Sequence, residues 1–207
     1  MRYDIFFVGV GGQGILTIGE ILAEVAHQKG VPVSFYPSKG MAQRGGFVKA
    51  QLRLGDEHTG PNISQRGADL VVAMEQSEAL KAIPFIKTSG DFVLYADIWA
   101  PTAVSLGKAP YPTLAQVAEQ ITAAGARLVT VDPVRLPNFA GEPVRPNLFV
   151  LGVMVGQTSL RDWVGDQDVE HVIQTRFKRN IEANLFAYHA GAGEVQAAPG
   201  SAALSLS

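Results

Sequence analysis

Six residues near the start of the chain, Gly9-Val10-Gly11-Gly12-Gln13-Gly14, have the types and spacing to hold an anion. They fall between a short apolar run and a segment of helical period, the context that the spacing G-x-G-x-x-G requires. Glycines there permit positive φ and close approach of the backbone to a ligand. The first N–H groups of the helix point unpaired at the turn, and the helix dipole adds roughly half a positive charge. A phosphate or carboxylate is the natural occupant. The competing reading is a glycine turn that only packs helix against strand. Dinucleotide binding is a narrower matter, because an NAD site needs an Asp or Glu about 20 residues on, at the end of the second strand. Ser34, Phe35 and Tyr36 occupy that place, with Lys39 just beyond.

A second constellation follows in Lys39-Gly40-Met41-Ala42-Gln43-Arg44-Gly45-Gly46. Two glycines directly after an arginine let backbone N–H groups converge on an anion, with the guanidinium beside them. An ordinary Gly-Gly loop with an exposed arginine is the alternative.

Other chemistries find little support. The chain has no cysteine, which removes disulfides, thiolate catalysis and cysteine-ligated clusters. His27, His58, His171 and His189 lack metal-binding spacing. No serine sits in a G-x-S-x-G elbow. Glu75 and Glu78 read as first-turn acids of a helix, favoured by its dipole. Glu75 and Asp97 also follow strand ends, where sites of α/β sheets gather, and are kept as secondary site candidates. No catalytic residue and no metal ligand is assigned.

The elements that must position these residues alternate. Ile5–Val8 is a strand of the kind buried on both faces. Ile15, Ile18, Leu22 and Val25 recur at helical spacing up to Gly30, and a second strand, Val31–Tyr36, ends at Pro37. Strands are expected at Phe47–Leu54, Leu70–Met74, Phe92–Tyr95 and Leu128–Val131, and helices at Glu75–Ile83 and Leu114–Ala124. The stretches Ala100–Pro112 and Pro133–Pro146 read as irregular connections. Leu148–Val155 reads as a buried helix capped by Asn147, with a strand as the alternative. Val169, Val172, Ile173, Phe177, Ile181 and Leu185 mark one long amphipathic final helix, carrying Lys178–Arg179 and ended by Gly191. The fold class is therefore α/β, a Rossmann-like, mostly parallel sheet flanked by helices with a long C-terminal helix. One domain over 1–191 is expected, then a disordered tail over 192–207, where Ala, Gly, Ser and Pro cannot bury enough to order the chain.

Composition limits the partners. The 207 residues are 47% hydrophobic, ample for one core, and the formal charge of −2 gives no basic face for nucleic acid. No run approaches the roughly 18 apolar residues of a membrane helix. The first residues enter a core-type strand rather than a signal peptide, so the expected compartment is the cytoplasm.

The glycine turn, helix and strand are followed by Gly40-Met41-Ala42-Gln43-Arg44-Gly45-Gly46, then Leu52-Arg53, Gly67-Ala68-Asp69-Leu70, and Glu75-x-x-Glu78-Ala79-Leu80. That combination, with Asn147-x-x-x-Leu151-Gly152 and the Asn184-to-Gly191 segment, resembles the gamma-type domain of 2-oxoacid:ferredoxin oxidoreductases, most closely the small subunit of the indolepyruvate type. The resemblance covers roughly residues 1–191; Pro101–Pro146 matches only loosely. It implies an accessory subunit, inactive alone, of a complex that decarboxylates a 2-oxoacid (an aryl pyruvate such as indolepyruvate), transfers the acyl group to coenzyme A and reduces ferredoxin. Thiamine diphosphate and iron–sulfur clusters are implied on a large partner subunit. Gly9, Gly11, Gly12, Gln13 and Gly14, with Gln43, Arg44, Gly45 and Gly46, are implied to face the coenzyme A cleft. The other readings are a stand-alone Rossmann-type nucleotide-binding oxidoreductase or binding protein, and a purely structural subunit.

Overall fold

Strand β1 (Arg2–Val10) is apolar on both faces because both are covered. Ile5 and Phe7 join one buried cluster, while Phe6 and Val8 join another on the opposite side. The computed structural model describes residues 1–39, 46–55, 60–100, 104, 106–107 and 110–193. Within them a six-stranded sheet is formed by β1, β2 (Val33–Lys39), β3 (Phe47–Gly55), β4 (Ala68–Ala73), β5 (Ile86–Tyr95) and β6 (Arg127–Val131). Its order is β2-β3-β1-β4-β5-β6. Strands β1, β4, β5 and β6 are mutually parallel, and β3 runs antiparallel to both neighbours.

The opening strand, turn, helix and strand are present, with α1 spanning Ile15–Gln28. Strands β1 and β2 do not touch, however, because β3 lies between them. The end of β2 is therefore two strand spacings, about 10 Å, from β1. In a dinucleotide fold the second strand lies directly beside the first. The missing ribose-binding acid and the inserted strand point the same way.

Helices cover both faces. Short α2 (Ala79–Ala82) and α3 (Leu114–Ala123) pack on Phe6, Val8, Phe92 and Leu94. On the other face lie α1, α4 (Pro146–Gln157), α5 (Asp166–Arg176) and α6 (Ile181–Gly193). Among the described residues no helix is long and apolar enough to cross a membrane.

Several boundaries differ from expectation for physical reasons. The helix expected over Glu75–Ile83 is a single turn, because the Glu75 side chain ties the segment down instead of facing solvent. Helix α4 starts with Pro146 at its first position, whose ring presets the helical φ, and Arg145 is its N-cap. Asn147, expected as the cap, is the second helical residue. The expected long final helix is two helices. Phe177 is extended (φ −91°, ψ 126°) and Asn180 is left-handed (φ 57°), so Lys178 and Arg179 sit in the break rather than on a helix. The 3.6-residue period survives because both helices face the same core. Helix α6 runs past Gly191 to Gly193, and Ala192–Gly193 of the expected tail continue it. Residues 194–207 lie outside the described residues.

Gly191 and Gly152 serve a contact rather than an ending. A Cβ on Gly152 would fall on the Tyr188 carbonyl oxygen, and one on Gly191 on that of Phe149. Helices α4 and α6 thus meet backbone to backbone. Gly152→Ala should lower stability by about 3 kcal/mol, the upper end of overpacking costs, since the opposing atoms are main chain and cannot swing aside. Urea denaturation measures this, and an unchanged midpoint would mean the two helices can separate freely.

Candidate functional site

The parallel strands bring their carboxyl ends to one edge of the sheet, where β1 ends in the glycine turn and β5 ends at Tyr95. A cleft of about 1240 Å³ opens there, lined by Val10–Gly14, Thr17, Met74, Glu78, Tyr95, Asp97, Trp99 and the Arg145–Asn147 start of α4, among others.

The turn is built as its glycines require. Gly12 (φ 108°) and Gly14 (φ 78°) are left-handed. Gly14 is the N-cap of α1 and offers no side-chain cap, so among the described residues the first-turn N–H groups of the helix have no cap at the cleft. Gly9 is there for packing, since a Cβ would lie 2.6 Å from Ile15 Cδ1 and 2.7 Å from Gln13 Oε1. Gly14 likewise has no room, with Asn147 Nδ2 2.5 Å from where a Cβ would be. Gln13 acts as a clasp. Its Oε1 accepts from Val10 N–H (2.8 Å), and its Nε2 donates to the Met74 carbonyl (2.7 Å) and Asp97 Oδ2 (3.1 Å). The turn is thereby fixed to the ends of β4 and β5. Gly11 N–H donates to the Gly46 carbonyl at 2.9 Å, so Gly46, which leads into β3, lies against the first turn. Gln43, Arg44 and Gly45 lie outside the described residues.

Three groups that the sequence analysis did not assign to the site complete the donor wall. Asn147 and Tyr95 are both more than nine-tenths buried and line the cleft, yet among the described residues neither side chain has a hydrogen-bond partner. Burial, with Asp97 and Asp132 nearby, pushes the Tyr95 phenol up to about 12, so it remains a donor at neutral pH. Arg145 lies at the rim, exposed, with no described partner for its guanidinium. Two helix N-termini, those of α1 and α4, therefore meet at one cleft with a cation and two idle polar groups. Among the described residues Asn184 Nδ2 is the only buried side-chain polar atom without a partner, so the Asn147 amide and the Tyr95 hydroxyl reach the solvent of the cleft and are open to a ligand. Asp97 and Glu78 form an acceptor side, and Glu78 is paired with Lys81 (2.7 Å).

The secondary candidates separate. Asp97 borders the cleft. Glu75 is wholly buried, and its carboxylate accepts from Ser77 Oγ (2.7 Å), Glu78 N–H (2.8 Å), Trp99 N–H (3.2 Å) and the Tyr111 hydroxyl. It braces the segment after β5. The Tyr111 phenol is held well above its usual range by burial and by that carboxylate. Among the described residues no group of three or more His, Cys, Asp or Glu could hold a metal ion. The signal for Tyr95 was the rule that α/β sites lie beyond strand carboxyl ends. For Arg145 it was a cation immediately before a Pro-initiated apolar helix.

The fold and site define an α/β domain with a cleft lined by hydrogen-bond donors at the carboxyl edge of a mostly parallel sheet. The chain belongs to the pyruvate ferredoxin/flavodoxin oxidoreductase family, whose sequence model matches residues 4–194. It is 34% identical to the indolepyruvate oxidoreductase subunit IorB of Archaeoglobus fulgidus over 92% of this chain and 94% of the relative. Its fold matches the pyruvate oxidoreductase subunit PORC of Thermotoga maritima with a TM-score of 0.71 at 22% identity, covering 94% and 97% of the two chains. It also matches 2-oxoglutarate:ferredoxin oxidoreductase of Magnetococcus marinus, solved with coenzyme A and succinyl-CoA, with a TM-score of 0.58 at 16% identity. That match covers 92% of this chain and 30% of the other, so the fold occurs both as a separate subunit and as part of a longer chain. The chain is accordingly a small subunit of a 2-oxoacid oxidoreductase.

Proposed function

We propose that this chain is the accessory subunit of a thiamine-diphosphate-dependent oxidoreductase that converts an aryl pyruvate, indolepyruvate foremost, to an acyl-CoA and reduces ferredoxin. It docks on a large subunit that carries the thiamine diphosphate and iron–sulfur clusters, and contributes the cleft for the coenzyme A phosphates. The observation that carries the coenzyme A assignment is the meeting of two helix N-termini with Arg145 and the unpartnered Tyr95 and Asn147. These groups suit a phosphate, which accepts several hydrogen bonds at once. Coenzyme A, when bound, supplies the thiol that takes up the acyl group. The residues of this chain hold and orient its anionic part: the α1 turn and Asn147 by donated hydrogen bonds, Tyr95 by its phenol, Arg145 and Arg44 by charge. The indolepyruvate preference follows the name of the most similar relative described above. The absence of cysteine fits the assignment of the clusters to the partner.

The test is reconstitution. The chain alone is expected to give no viologen reduction with indolepyruvate and to contain no iron. Co-expressed with its large subunit it should elute as one complex with coenzyme A-dependent activity. Unaided activity, or two cleanly separate peaks at micromolar concentration, would overturn this assignment.

A further inference from the structure

Beyond the phosphate-holding wall, one aromatic side chain of the cleft stands outside the buried core. Trp99 is 52% exposed and borders the same cleft as the glycine turn. The other tryptophan, Trp163, packs at 5.9 Å on Tyr3, away from the cleft. An exposed indole is ordinarily left to a mobile loop. Here the backbone leading into it is clamped at two points. Trp99 N–H donates to the wholly buried Glu75 carboxylate (3.2 Å), and the Asp97 carbonyl accepts from Gln76 N–H (2.9 Å). Asp97 is held in turn by Gln13 of the turn itself (3.1 Å), so the phosphate wall and the indole share one hydrogen-bonded frame. Three other donors, from Ser77, Glu78 and Tyr111, fix the Glu75 carboxylate. A charge is buried to hold this segment in place, and what it presents to the cleft is a planar ring.

We infer that the cleft takes an adenine-nucleotide end, with the base stacked on the Trp99 indole and the phosphates on the N-termini of α1 and α4. This rests on the assignment of the cleft to coenzyme A and adds which end of it enters. A phosphate pole alone would suit any anion. An aromatic platform beside it selects a phosphorylated ring, and base–aromatic stacking requires only a π face. The Asp97 carboxylate, between the two, is an acceptor suited to a ribose hydroxyl or an exocyclic amine. Glu75 acts here as a positioning residue, through Trp99.

Calorimetric titration of the assembled complex with adenosine bisphosphate (phosphates at the 3′ and 5′ positions), ADP and inorganic diphosphate tests this. Wild type should bind the adenine compounds more tightly than diphosphate. Trp99→Ala should weaken the adenine compounds by about fivefold to a hundredfold, as loss of one stacking contact predicts, and leave diphosphate unchanged. Trp99→Phe should retain most of the preference. Stronger binding of the bisphosphate than of ADP identifies the 3′-phosphorylated end of coenzyme A, and equal binding an adenine nucleotide in general; both support the platform. Equal loss for all probes, or none, overturns it. Failure of Trp99→Ala to assemble makes Trp99 an interface residue and also overturns it. If diphosphate binds and adenine adds nothing, only the stacking fails. If no probe binds wild type, the phosphate assignment fails with it.

Discussion

Replacing Arg53 by methionine should cost the chain about 3–5 kcal/mol, the range for stranding one member of a buried ion pair. Arg53 is 5% exposed and Asp4 not at all. They meet through two parallel bonds, Nε to Oδ1 at 3.0 Å and Nη2 to Oδ2 at 3.1 Å. Arg53 Nη1 also donates to the Gly60 carbonyl at 2.7 Å, which fastens the connection between β3 and β4. With Arg53 gone, Asp4 keeps, among the described residues, only the partly exposed Arg2, 3.1 Å away. Its charge would sit in the centre of the sheet with half its partners lost. The double variant Asp4→Leu/Arg53→Met removes both charges and should recover most of the loss, because an apolar pair of similar volume is often neutral or better. Urea denaturation of the four proteins gives the coupling directly. A single Arg53→Met variant within about 1 kcal/mol of wild type would mean that the pair is solvated in solution.

The second large effect concerns binding. Arg145→Ala should raise the apparent dissociation constant for coenzyme A by about tenfold to a hundredfold, the equivalent of about 1.5–3 kcal/mol for a lost charge-assisted hydrogen bond. The side chain is exposed at the rim, so water screens it in the free subunit. Docking of the large subunit would exclude that water and strengthen the contact. Arg145→Lys should restore only part of the affinity, since an ammonium lacks the planar fork that grips two phosphate oxygens. Arg44 is proposed to hold the same ligand, and Arg44→Ala should behave in the same way. Arg145 is exposed and outside the hydrophobic core, so the stability of Arg145→Ala should stay near wild type.

Much of this architecture was legible in the sequence, and the reason is that it is local. A double-sided apolar strand, a glycine turn and an amphipathic helix are each written within about fifteen residues. The glycine turn lies where its flanking periods placed it, and Asp97 was marked by its position after a strand. What escaped depends on contacts between distant segments. The insertion of β3 between β1 and β2 could not be read from β3 itself, because an alternating strand has no signature for its neighbour. The division of the last helix was hidden by a period that both halves share. Glu75 reads as an ordinary first-turn acid because two of its four donors, on Trp99 and Tyr111, come from a distant segment and are revealed only by the fold. Asn147 was assigned to a cap, and its idle amide became meaningful only beside Gly14.

Coenzyme A, rather than an incidental anion, is the proposed occupant of the cleft. The measurement that bears on it most directly is coenzyme A titration of the assembled complex, wild type and Arg145→Ala, following two signals in parallel. One is release of carbon dioxide from the 2-oxoacid, and the other is formation of the acyl-CoA. The predicted result is a coenzyme A half-saturation raised about tenfold to a hundredfold in the variant, with the decarboxylation rate in limiting coenzyme A nearly unchanged. An intact variant complex whose coenzyme A dependence matches wild type would contradict it.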